Sequence, residues 1–66
     1  MMTLKALRVN QNLKQSEASE KLGITEETLR RWENAETFPN VKQIKAIEKL
    51  YKTSYDEINF LIENIG

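Results

Sequence analysis

The sequence predicts an all-α domain built from five short helices. Three observations carry this expectation. Only two glycines and one proline interrupt 66 residues. No β-branched residues alternate with polar ones as they would along a half-buried strand. Apolar side chains recur instead at intervals of three and four, the period of one helix face. No repeat, low-complexity segment or linker divides the chain, so one domain over residues 1–66 is expected.

The first helix is expected from about Thr3 to Gln11, with Leu4, Leu7 and Val9 supplying apolar contacts and Asn12 suited to a left-handed ending. The second runs from about Gln15 to Leu22. Its apolar content is thin, with Leu13 just before it and Ala18 and Leu22 within. Gly23 then ends it, because glycine adopts positive φ at little cost. The third runs from about Glu26 to Asn34. Thr25 is its N-cap, and Glu26 and Glu27 suit the positive end of the helix dipole. Ile24 is placed to staple onto Leu29 or a neighbour. Leu29 and Trp32 form its inward stripe, which makes Trp32 a core filler rather than a platform for stacking bases.

Pro39 marks a loop. Asn40 and Gln43 then have capping-box spacing, opening a fourth helix to Tyr51 with Val41, Ile44, Ile47, Leu50 and Tyr51 on one face. Ser54 and Glu57 repeat that spacing. Ile58, Leu61, Ile62 and Ile65 follow at i, i+3, i+4 and i+7, which predicts a fifth helix. Tyr51 and Tyr55 are expected to be structural.

The most informative stretch is LKQSEASEKLGITEETLRRWE, Leu13 to Glu33. Two short helices meet at Gly23, and the second turns Glu26, Glu27, Thr28, Arg30 and Arg31 outward. In such a helix-turn-helix layout one helix braces while the next lies in the major groove of DNA.

Composition bounds the alternatives. A chain this short buries only about 60% of the surface its unfolded form exposes, so stability is marginal. Cysteine and histidine are both absent, which removes disulfides and the common zinc-ligand sets. No metal and no cofactor are expected. No apolar run approaches the roughly 20 residues that span a bilayer, and the N-terminus does not read as a signal peptide. The expectation is a cytoplasmic protein. Formal net charge is zero, and residues 1–33 carry six basic and five acidic side chains against four and five in the remainder. Charge therefore does not favour nucleic acid, though screening leaves the local face more decisive than the total.

These residues resemble the Cro/CI-type, XRE-like helix-turn-helix domain of phage repressors and small bacterial regulators. The shared pattern is Arg8 in the first helix, Gln15 opening the second, Gly23 in the turn, Glu33 ending the third, then Pro39 and a helical hairpin. Each element alone is weak; their order and spacing together are specific, and the resemblance runs from about Leu4 to Asn59. It departs at Lys14, where a threonine cap is usual, at Ala18 and Ser19, where leucine and alanine are usual, and at Ala35, where glycine is usual. Asn34 is the alternative left-handed residue there.

The resemblance implies a five-helix lambda-repressor-like fold. It implies that Arg8 and Glu33 form a structural ion pair. It places Glu26, Glu27, Thr28 and Arg31 toward base edges, with Arg31 suited to a bidentate contact with guanine. Glu26 and Glu27 read equally as acceptors from cytosine N4 or as dipole-complementing charges. Lys14, Gln15, Arg30, Asn40 and Lys42 lie where phosphates would pass, and for the cations the plain alternative is a solvated surface charge. Lys45, Lys49 and Lys52 are expected on the solvent side.

The apolar tail suggests a homodimer, at least on DNA, through Phe60, Leu61 and Ile65; the alternative is a monomer whose last turn folds back. The expected function is a small Cro-like repressor of phage or prophage origin, bound to double-stranded operator DNA. It would have no small-molecule ligand, no membrane partner and no room for a sensing domain. The competing expectation is a protein-interaction module on the same fold, such as an antirepressor or an antitoxin partner. Tying up Arg30 and Arg31 with glutamates would favour it. Nothing specific suggests an enzyme.

Overall fold

The computed structural model describes residues 1–61. Four α-helices and a two-stranded parallel sheet make up the fold, in the order β1 (Met2–Thr3), α1 (Leu4–Asn10), α2 (Gln15–Leu22), α3 (Glu26–Glu33), α4 (Val41–Tyr51), a 3₁₀ turn (Tyr55–Glu57) and β2 (Ile58–Asn59). The sheet pairs Met2 with Ile58 and Thr3 with Asn59.

Each α-helix starts where a local acceptor meets an orphan backbone N–H. Thr3, Thr25 and Asn40 accept from the backbone of Ala6, Thr28 and Gln43. Asn40 also donates its backbone N–H to Gln43, closing the expected box. Lys14 has no acceptor to offer, so only the reciprocal half exists there: Lys14 N–H donates to Glu17 Oε1.

All four helices are followed by a residue in the left-handed region: Asn12 (φ 59°), Gly23 (φ 71°), Ala35 (φ 58°) and Lys52 (φ 55°). At all four the next N–H reaches back five residues, as Leu13 does to Arg8, Ile24 to Ser19, Glu36 to Arg31 and Thr53 to Glu48. The left-handed position after α3 is thus Ala35, in the usual glycine's place, and not Asn34, whose φ is −95°.

Leu4, Leu7, Ala18, Leu29, Trp32, Ile47, Tyr51 and Ile58 form the buried core, with Leu13, Leu22, Ile24, Leu50 and Phe60 packed against it. The small Ala18 and Ser19 are both buried, which lets α2 sit close to its neighbours. Two apolar residues leave the expected core: Val9 and Val41 are exposed, Val41 at 72%.

The fifth helix does not form within the described residues. Ser54 spends its hydroxyl on Asp56 Oδ1 instead of capping, and Glu57 N–H closes a tight bond to Ser54 carbonyl. The chain then extends at Ile58 (φ −96°, ψ 127°). With a two-residue repeat, Ile58 and Phe60 turn toward the core while Leu61 remains 63% exposed. Ile62 and Ile65 lie outside the described residues.

Candidate nucleic-acid interface

Helix α3 is split by its own chemistry. Leu29, Trp32 and Glu33 are buried, whereas Glu26, Glu27 and Arg31 are exposed and Thr28 and Arg30 are half-buried. The indole therefore faces the core and the polar residues of the first two turns face solvent, the orientation a reading helix requires.

A buried polar cluster anchors the inner end of α3. Arg8 Nε donates to Glu33 Oε2 at 2.7 Å and Arg8 Nη2 to Glu33 Oε1 at 3.2 Å. Arg8 Nη1 donates to the Leu13 carbonyl at 2.8 Å, and Gln15 Nε2 to Glu33 Oε1 at 3.1 Å. One carboxylate thus gathers the end of α1, the start of α2 and the end of α3. Its hydrogen bond raises the affinity of Arg8 for its proton, against the opposing effect of burial. Tyr51 lies near this cluster. Burial first, and Glu33 second, push its phenol up to about 12, and among the described residues its hydroxyl has no hydrogen-bond partner.

The outer face of α3 carries a second cluster. Glu27 accepts from Arg30 Nε and Nη2, both at 2.9 Å, and from Arg31 Nε at 3.1 Å. Arg30 Nη1 donates to Glu36 Oε2 at 3.3 Å. Glu36 had no place in the sequence reading, because it reaches Arg30 only through the left-handed turn at Ala35. The hydrogen bonds from Arg30 and then Arg31 hold the Glu27 carboxyl at about 2. Arg30 is raised in return, chiefly by its hydrogen bond to Glu27.

The residues placed near phosphates divide accordingly. Lys14 and Lys42 are exposed. Asn40 is exposed, but its side-chain oxygen is engaged by Gln43 N–H at 2.8 Å. Gln15 is half-buried with its amide turned to Glu33, and Arg30 is paired with two glutamates while its side chain stays partly exposed. Thr28 Oγ1 accepts from Thr25 Oγ1 at 2.9 Å, which leaves the Thr28 hydroxyl proton available.

Away from α3, a groove of about 300 Å³ is lined by Phe38, Pro39, Ile44, Tyr55, Phe60 and Leu61. Phe60 is half-buried and stacks against Tyr55 at 5.7 Å between ring centroids. Tyr55, expected to be structural, is 56% exposed, and Phe38, 55% exposed, was not singled out from sequence. Ile65 lies outside the described residues. Among the described residues no helix is long and apolar enough to cross a membrane, and no cluster of three or more metal-ligating side chains occurs.

Two helices meeting at a left-handed Gly23, the second with its indole inward and its polar turns outward, define a helix-turn-helix domain. The family model described as Helix-turn-helix matches residues 4–58, and the chain belongs to that family, in its XRE-type branch. Over 55 residues the chain is 31% identical to the HTH-type transcriptional activator BcrR of Enterococcus faecalis. That match covers 83% of this chain and 27% of the relative, so the chain spans about a quarter of the relative's length. No solved structure matches the chain.

Proposed function

We propose that the chain is a sequence-specific, DNA-binding transcriptional regulator. The observation that carries this reading is the presentation of α3: Thr28 and Arg31 lie on its solvent side while Leu29 and Trp32 are buried beneath them. The membership in the helix-turn-helix family and the likeness to a transcriptional activator support it. In this reading Arg31 contacts guanine, Thr28 contributes a hydroxyl or touches a thymine methyl, and Lys14 and Lys42 approach phosphates. Glu26 lies at the same face, as an acceptor for cytosine or as a charge that excludes unsuitable sites.

The finer reading is a small Cro-like repressor of phage or prophage origin, working in the cytoplasm as one domain without enzymatic activity. Occupancy of a site overlapping a promoter excludes polymerase, so this domain would repress by position. We place a homodimer on the operator, with Leu61 and the groove beside it as the contact and Phe60 supporting it. Two reading helices about 34 Å apart would then address a pseudo-palindrome.

Selection from random duplexes tests this reading. Arg31→Ala is expected to relax specificity at one position per half-site. Lys14→Ala is expected to weaken all sites alike and to reduce the salt slope by about 1. Failure to enrich any sequence at low salt, with folded protein, defeats the proposal.

One observation favours a second reading, a protein-interaction module. Arg30 is paired with Glu27 and Glu36, and Glu26 and Glu27 offset the two arginines of α3. A protein partner whose binding survives Arg31→Ala, combined with no DNA preference, would establish that reading instead.

A further inference from the structure

The two arginines of α3 differ in a way their adjacency conceals. Arg30 uses Nε and Nη2 on Glu27 and Nη1 on Glu36, so all three of its nitrogens are engaged. Arg31 is held only by Nε, at 3.1 Å from Glu27 Oε2. Among the described residues its Nη1 and Nη2 have no partner. Those two nitrogens form the end of the guanidinium fork that meets guanine O6 and N7. Glu27 itself is occupied at both oxygens by arginine, which leaves it poorly placed to read cytosine.

We propose that Glu27 is a specificity-determining positioning residue: it anchors Arg31 through Nε, presents the open end of that fork to guanine, and withdraws Arg30 from DNA. This rests on the reading of α3 as the DNA-contacting helix. The physical basis is preorganisation. An arginine on a solvent face is otherwise spread over many rotamers, and a contact that must first select one of them is weaker and less selective. A side chain that already donates sideways to a fixed carboxylate meets the base edge with its direction set. Because Arg30 and Arg31 hold the Glu27 carboxyl at about 2, it remains ionised, and hence engaged, throughout the physiological range.

The test uses the full chain and the duplex it enriches from a random library, together with single-base-pair variants of that duplex. Glu27→Ala, Arg30→Ala, Arg31→Ala and the Glu27→Ala/Arg31→Ala pair are compared, with helix content checked by circular dichroism. Glu27→Ala should lose preference at the same base pair as Arg31→Ala, by roughly five- to hundredfold. It should also bind unrelated DNA more tightly, since a negative charge has left the interface. The double variant should discriminate no less than Arg31→Ala alone, and Arg30→Ala should keep the preference. If Glu27→Ala tightens binding to every duplex while its preferences stay intact, or if the two losses add, Glu27 has no positioning role and the proposal is overturned. If the wild-type chain enriches no sequence, the DNA reading itself fails and takes this proposal with it.

Discussion

Arg8 closes its guanidinium on Glu33 through two nitrogens, at 2.7 and 3.2 Å, with nine-tenths or more of both side chains buried. Glu33 Oε1 also receives Gln15, so the amide expected to meet a phosphate is instead spent within the fold. The result is a fixed base for α3, built by residues that never touch the solvent side of that helix. Arg8→Met leaves the Glu33 charge buried and should cost about 3–5 kcal/mol. Total stability for a chain of this length is about 3–10 kcal/mol. Urea unfolding of Arg8→Met should therefore show a midpoint lowered by about a third or more at unchanged slope. Arg8→Met/Glu33→Leu should recover most of the loss, because no unpaired charge remains.

Tyr51→Phe is expected to leave stability unchanged or raise it by about 1 kcal/mol, since the hydroxyl removed is buried without a partner among the described residues. The same tyrosine sets a pH dependence. Its phenol ionises at about 12 in the folded chain, against 10.0 for the ordinary group. The native state keeps that proton where the unfolded state has lost it, so this contribution to stability is intact below pH 10 and falls as pH rises toward about 12. Absorbance of tyrosinate in a Tyr55→Phe background, followed alongside helicity, reports Tyr51 alone. Ionisation of that phenol near pH 10, with the fold intact, would refute the assignment.

Ala35 and Lys52 hold φ of 58° and 55° without glycine's freedom. Left-handed backbone costs an L-residue about 1–2 kcal/mol, partly offset by the larger entropy of an unfolded glycine. Ala35→Gly and Lys52→Gly should each stabilise by about 0.5–1 kcal/mol, read as a higher urea midpoint at constant slope. A loss of stability in either would show that the turn is held differently.

Leu61 and its groove furnish the fourth prediction. If this face joins two copies, Leu61→Asp should lower self-association in sedimentation experiments and weaken binding to a palindromic site far more than to a half-site. Equal losses on both sites would assign Leu61 to folding instead.

Much of this architecture could be read from residue chemistry. Thr25, Gly23, Asn12 and the Asn40–Gln43 box announce helix ends through interactions within five residues, and Leu29 and Trp32 announce a buried face by their spacing. What could not be read were features set by tertiary pairing. Ile58, Leu61, Ile62 and Ile65 carry a helical period, but Ile58 and Phe60 also carry a strand's period, and the short segment Met2–Thr3 decides between them by offering an edge. Gln15 was expected at a phosphate, and its bond to Glu33 spans 18 residues, so no local spacing announces it. Glu27 with Arg30 and Arg31 had legible i+3 and i+4 spacing, yet the closure of Arg30 by Glu36 required the left-handed turn at Ala35 to bring it round.

The most direct measurement is amide-shift mapping of isotope-labelled chain titrated with its selected duplex. The account predicts shifts concentrated at 25–31, with further change near Lys14 and Lys42, and Arg31→Ala abolishing the difference between selected and scrambled duplex. Shifts confined to Phe38, Tyr55 and Leu61 while α3 stays silent, or identical maps for the two duplexes, would contradict the claim that α3 reads DNA.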